Sequence, residues 1–196
     1  IYSATSPALA DGIDWMFHLV AVADGQRSAP VHFGTFWIDT TAPVITAGTP
    51  TGTAGNNGWW LSDVTVPFSA TDNLSGFAPN GDLAATLASQ TTAGEGTHLI
   101  VTSDGVYDLA GNFAAGINAG PFKVDMTAPV ITAGTPVGTS DNNGSYSSDV
   151  TVPFSATDNL SGFAPNGDLA VDLASQTTAG EGTDLIVTSD GVYDLA

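Results

Sequence analysis

The sequence predicts an all-β chain made of tandem β-sandwich repeats. One observation is internal repetition, because residues 43–110 return almost unchanged at 129–196. A second is a composition with 23 glycines and 11 prolines, which favours short elements joined by turns over helices. A third is a set of short runs in which apolar and polar residues alternate, as they do in half-buried strands. About seven such strands per repeat would suit a β-sandwich.

The two copies lie 86 residues apart and differ at nine of 68 aligned positions. The differing pairs are 51/137, 54/140, 55/141, 59/145, 60/146, 61/147, 85/171, 86/172 and 98/184. Repetition at this period predicts three domains. They are the C-terminal part of a repeat at 1–39, a complete repeat at 40–125, and a repeat lacking its last strand at 126–196. Since both ends fall inside a repeat, we expect the chain to be a window of a longer polypeptide.

The clearest strand covers residues 64–70. Alternation places four apolar side chains on one of its faces: Val64, Val66, Phe68 and Ala70. Pro67 cannot donate a ladder hydrogen bond, so an edge position or a bulge is expected there, and again at Pro153. Further strands are expected at 43–47, 83–90, 99–102, 105–109 and 121–124, separated by turns rich in glycine and asparagine.

Charge and composition exclude several classes of function. The chain has 20 acidic residues against two basic ones, Arg27 and Lys123, for a formal net charge of −18. This balance argues against nucleic-acid binding by phosphate neutralisation. It favours cations as partners, or acidity that only keeps a long polymer soluble. The chain has no cysteine for disulfides, and it has no apolar run of about 20 residues for membrane insertion.

Four short motifs occur in a fixed order along the repeat. They are Asp39-Thr40-Thr41-Ala42-Pro43, Ala70-Thr71-Asp72, Ser75-Gly76 and Asp108-Leu109-Ala110-Gly111-Asn112. In this order they resemble the bacterial immunoglobulin-like (Big-type) repeats of large surface and secreted proteins. The resemblance covers nearly the whole chain, although Leu109 and Met126 depart from the usual pattern. It implies tandem immunoglobulin-like β-sandwich domains in a prokaryotic adhesin or other cell-surface protein.

The topology that the resemblance implies brings three acidic segments to one pole of each domain. For the central domain the residues are Asp39, Asp72, Asn73, Asp108 and Asn112. For the following domain they are Asp125, Asp158, Asn159 and Asp194. Because Ca²⁺ takes about 6–8 oxygen ligands of these types, we expect calcium at each domain junction. The alternative is turn chemistry alone, since Asp and Asn accept local backbone hydrogen bonds.

Trp59 and Trp60 are the candidate contacts for a glycan or a partner chain. The second copy has Ser145 and Tyr146 at these positions, so we expect the tryptophans not to be essential to the core and to be exposed or to make an interdomain or lateral contact. No enzyme is expected, because the chain contains no metalloprotease, phosphate-cradling or nucleophile-elbow motif. His98 becomes Asp184 in the second copy, which indicates a variable surface position.

The sequence therefore favours a structural segment, a stalk or extracellular filament of a large exported protein, with Ca²⁺ at its junctions. Its partners would be neighbouring repeats or copies of itself. One alternative is a self-assembling filament in which copies exchange β-strands. Another is a glycan-binding accessory module of a secreted polysaccharide-degrading enzyme.

Overall fold

The computed structural model describes residues 7–141 and 143–196, in which all regular structure is β-strand. The prediction of an all-β chain is confirmed. The described residues form these strands: β1 (Gly12–Leu19), β2 (Val22–Ala23), β3 (Gln26–Arg27), β4 (Val31–Ile38), β5 (Val44–Ala47), β6 (Trp59–Trp60), β7 (Thr65–Thr71), β8 (Ala84–Thr91), β9 (Gly96–Thr102), β10 (Val106–Tyr107), β11 (Phe113–Ala114), β12 (Asn118–Val124), β13 (Val130–Ala133), β14 (Thr151–Thr157) and β15 (Ala170–Thr177). Within these residues no helix is long and apolar enough to cross a membrane.

Contacts divide the chain into two compact units. The first contains residues 7–50, 66–90 and 101–119, and the second contains 51–65, 91–100 and the described part of 120–196. These boundaries differ from the domain boundaries expected at 39/40 and 125/126, which remain a prediction.

In the first unit, β7 is the middle strand of the sheet β5-β7-β8. It pairs antiparallel with β5, from Val44 opposite Thr71 to Ala47 opposite Phe68. The predicted alternation is confirmed, because four side chains of one face are almost completely buried: Val64, Val66, Phe68 and Ala70. The same unit contains the pairs β1-β4, β2-β3 and β10-β11.

The prolines of β7 and β14 do not lie on edge strands. Both strands are central in their sheets, so the expected edge position is wrong. The alternative, a bulge, is confirmed at Pro153, where the register with β15 shifts between Val152 and Phe154. The proline carbonyl still takes part in pairing, since Gly48 donates its N–H to Pro67 O at 2.8 Å. A proline is therefore tolerated in a central strand when its carbonyl still accepts a hydrogen bond and the ladder lacks only the bond that its N–H would have donated.

In the second unit, the sheets are β6-β12-β9 and β13-β14-β15. The second sheet repeats the arrangement of β5, β7 and β8. Its register is the same after a shift of 86 residues, since Val130 lies opposite Thr157 as Val44 lies opposite Thr71. The two copies of the repeat thus form the same three-stranded sheet, with β13, β14 and β15 in the places of β5, β7 and β8.

Residues 182–188 differ from this rule. Their counterpart, residues 96–102, forms β9 beside β12, yet 182–188 form no strand although only position 98/184 differs. Ile186 is 86% exposed, against 47% for Ile100. Among the described residues no strand pairs with 182–188, whereas the backbone groups of 96–102 pair with β12.

Candidate metal centre

The structure brings six of the candidate carboxylates into two clusters of three. The first, in unit 1, contains Asp39, Asp72 and Asp108. The second, in unit 2, contains Asp125, Asp158 and Asp194. In each cluster one oxygen from every residue lies within 4.8 Å of the others. The clusters are 86 residues apart along the chain and have the same composition.

Strand ends place these side chains. Asp39 directly follows β4, Asp72 follows β7 and Asp108 follows β10, so each of these aspartates lies immediately after the end of a strand. In the second cluster Asp125 follows β12 and Asp158 follows β14. The sequence analysis grouped these residues through the topology that the resemblance implies, in which each acid comes at the end of a strand.

The clusters hold negative charge at low exposure. Asp72 is 9% exposed and Asp108 is 6% exposed, while Asp125 is only 1% exposed. Among the residues that the structure describes, neither of the chain's two basic residues, Arg27 and Lys123, donates a hydrogen bond to a cluster carboxylate. Burying charge without a partner of opposite sign is costly. A bound cation would remove this cost.

Turn chemistry accounts for one oxygen of Asp72. Its Oδ2 accepts hydrogen bonds from the N–H groups of Leu74 at 3.0 Å and Gly76 at 2.7 Å. Gly76 has φ +70°, and a Cβ there would collide with the carbonyl oxygen of Gly81, so the turn requires glycine. In the second cluster, Asp158 Oδ2 accepts the corresponding bonds from Leu160 and Gly162.

The other oxygen of Asp72 is not explained by the turn. Asp72 Oδ1 and Asp158 Oδ1 are buried and have no hydrogen-bond partner among the residues that the structure describes. A buried, unpaired carboxylate oxygen is costly, and the same atom is left unpaired in both copies. Turn chemistry provides partners for Oδ2 but not for Oδ1, and the donor set fits a hard cation that prefers oxygen.

Backbone donors hold the remaining carboxylates. Asp39 accepts the N–H of Ser75 at 2.8 Å and that of Thr41 at 3.1 Å. Burial raises the pKa of Asp39, but these bonds outweigh it and the net shift is downward. Burial also raises the pKa of Asp194, and the negative charges of Asp125 and Asp158 add to this shift.

The three candidate asparagines have different roles. Asn112 belongs to the first cluster, because its N–H and its Nδ2 each donate to Asp108 at 2.8 Å, and Nδ2 also reaches Asp39 O at 3.1 Å. Asn73 and Asn159 instead direct their amide nitrogens to other acids, Asp11 at 3.3 Å and Glu95 at 2.9 Å. The structure thus joins Asn112 to a cluster but ties Asn73 and Asn159 to acids outside it.

Asp11 and Glu95 were missed by the sequence analysis. Glu95 accepts the N–H of Met126 at 2.5 Å and the hydroxyl of Thr127 at 2.8 Å, and these bonds lower its pKa. The side chains of Thr40 and Thr41 donate to Asp11 and lower its pKa to about 2. The two acids therefore tie the threonine-containing linkers in place. The available signal was weak: Glu95 recurs as Glu181, between two glycines, in both copies.

Trp59 and Trp60 do not form an exposed pair. Trp59 is 8% exposed, so exposure, one of the two expected alternatives, is wrong for it, and Trp60 is half-buried. Residue pairing explains this burial, because β6 runs parallel to β12 with Trp59 beside Lys123, whose Nζ lies 4.9 Å from the Trp59 ring centroid. A contact with glycan remains a prediction.

His18 and His32 lie opposite each other on β1 and β4, with ring centroids 4.2 Å apart. Two imidazoles fall short of the roughly three or four protein ligands of a zinc site. The acidic clusters are accordingly the sites whose chemistry best fits a cation.

No protein-family model, curated protein or solved structure matches the chain.

Proposed function

We propose that this chain is a segment of tandem immunoglobulin-like β-sandwich repeats in a stalk or extracellular filament of a large exported surface protein, and that Ca²⁺ stiffens its junctions. The observation that carries the proposal is the buried, unpaired Oδ1 of Asp72 within a cluster of three carboxylates. Its recurrence at Asp158 supports a function that is repeated along the chain.

Each cluster joins a linker to two loops. In the first, Asp39 begins the linker that leads into β5, while Asp72 and Asp108 lie in loops that follow β7 and β10. An ion held by all three would restrain the linker against those loops and remove a hinge. Asp72 would supply its free oxygen, and the remaining ligands would come from Asp39, Asp108, backbone carbonyls and water.

We expect Ca²⁺ to raise the melting temperature of the whole chain and to reduce its flexibility in solution. A site that binds only the folded state adds RT ln(1 + [L]/Kd), or about 2.7 kcal/mol at a hundredfold excess over Kd. Calorimetry and small-angle scattering in chelator and across a calcium titration would measure both effects. Asp104→Asn is the control, because Asp104 is exposed and lies outside both clusters. Identical melting and scattering with and without calcium would contradict the proposal.

A second candidate is a filament assembled by strand exchange between copies, and residues 182–188 favour it. They have almost the sequence of β9 but pair with no strand among the residues that the structure describes, and Ile186 is exposed. Such unpaired edges accept strands from other chains.

If this second candidate is right, a peptide of residues 118–128 should bind the chain and suppress its concentration-dependent association, measured by sedimentation velocity. A control peptide with Phe122→Asp and Val124→Asp should do neither, because Val124 is fully buried in β12. A chain that stays monomeric at every concentration and ignores both peptides would exclude this assembly.

A further inference from the structure

The differences between the two copies are concentrated in one segment. Six of the nine differing positions lie within residues 51–61, although this stretch makes up only 11 of the 68 aligned positions. The cluster residues, their turns and most strand residues are the same in both copies. Variation of this kind indicates a segment whose contacts differ from one repeat to the next.

The variable segment contains a hairpin, residues 54–61, which we call the docking hairpin. Ala54 pairs with Trp60, and Gly55 donates its N–H to Trp59 O at 3.0 Å. The second copy keeps these bonds, since Ser140 pairs with Tyr146 and Asp141 donates to Ser145 at 2.8 Å. The substitutions therefore keep these two backbone contacts and require another explanation.

The docking hairpin contacts the segment that follows Asp194. Asn56 Nδ2 donates to the carbonyl of Ala196 at 3.2 Å, and Asn57 Nδ2 donates to that of Leu195 at 3.3 Å. Lys123 Nζ donates to Asn57 O at 2.9 Å and lies over Trp59, which holds the hairpin tip from the other side. These contacts lie within the second unit and end beside its acidic cluster.

Gly55 permits this close approach. A Cβ at this position would lie 2.7 Å from the backbone carbonyl carbon of Ala196, so the contact could not be kept without a shift of the backbone. The second copy has Asp141 there, which would add both bulk and a negative charge next to an acidic pole. It also replaces buried Trp59 by Ser145, and Tyr146 is 43% exposed. A hairpin with the second copy's residues is unsuited to the same contact.

We infer that the docking hairpin is an interaction surface for the acidic pole of the repeat that follows it, here residues 194–196. Residue 55 and residues 59–61 decide whether a given junction docks. Successive junctions along the chain would then differ in stiffness although the cation clusters are the same. The inference rests on the proposed function only in treating the chain as a row of joined repeats.

Gly55→Asp should break the contact, with Ala54→Ser as the matched control. Both variants introduce the residue that the second copy carries, and Ser140 and Asp141 keep the corresponding backbone contacts there, so both are expected to fold. In chelator, nuclear Overhauser effects between the Asn56 and Asn57 side-chain amides and residues 195–196 should be present in the parent chain and in Ala54→Ser. They should be lost in Gly55→Asp.

Retention of these signals in Gly55→Asp would overturn the inference, and so would their loss in both variants. Because the contact is measured without calcium, failure of this test is a separate result from failure of the calcium titration.

Discussion

Asp72→Asn is expected to stabilise the chain in chelator and to destabilise it relative to the parent in saturating Ca²⁺. Asparagine keeps an oxygen that can accept the N–H groups of Leu74 and Gly76, so the turn is preserved. It also replaces the unpaired, charged oxygen by a neutral amide that can donate to the neighbouring carboxylates. Without a cation this relieves repulsion, and with a cation it removes a ligand.

The expected size of the effect follows from the spacing of the charges. The oxygens of the first cluster lie within 4.8 Å of one another. Two unit charges at about 5 Å interact by roughly 3 kcal/mol at an effective dielectric of about 20, so a gain of about 1–3 kcal/mol in chelator is reasonable. In calcium, the variant should lose most of the stabilisation of about 2.7 kcal/mol that a hundredfold excess over Kd provides.

Thermal unfolding would test whether the change in stability reverses its sign. The parent chain, Asp72→Asn and Asp104→Asn would each be measured in chelator and in calcium. Asp104→Asn should shift little in either condition, because Asp104 is exposed. If Asp72→Asn destabilises by the same amount in both conditions, Asp72 has a turn role only and calcium does not bind there.

Phe68→Ala should cost about 3–5 kcal/mol, the usual loss for deleting a fully buried aromatic side chain. Phe68 is 2% exposed in the central strand β7. Phe154 occupies the same position of β14 within an identical stretch of sequence but is only half-buried, so Phe154→Ala should cost clearly less.

The two phenylalanine variants are matched controls for each other. Denaturant unfolding gives the total loss, and hydrogen exchange of the β7 and β14 amides locates it in one unit or the other. Equal losses would mean that the two cores are packed alike, contrary to the structure.

Several features could be predicted from the sequence because they are encoded locally. The alternation in residues 64–70 specifies which face of β7 is buried, since side chains of a strand point to opposite faces in turn. Asp39, Asp72 and Asp108 belong to short motifs that can be recognised in the sequence, and the topology implied by the resemblance grouped them. The register of β5 and β7 recurs in β13 and β14, because the paired residues are the same in both copies.

Other features depend on contacts between segments far apart in the chain. The repeat difference at Trp59 suggested exposure, but pairing of β6 with β12 buries it beside Lys123. Asn159 has the residue type of a calcium ligand, yet its amide nitrogen donates to Glu95, 64 residues away. No pattern in the sequence near Asn159 predicts Glu95 as its hydrogen-bond partner.

The sequence by itself determined the period of 86 residues, the all-β class and the positions of several strands within residues 43–124. Only the tertiary structure decided that residues 96–102 form a strand while 182–188 do not, and that one oxygen of Asp72 is buried and unpaired. The physical reason is that alternation and turn chemistry act between near neighbours, whereas strand pairing and the removal of water require distant segments to meet.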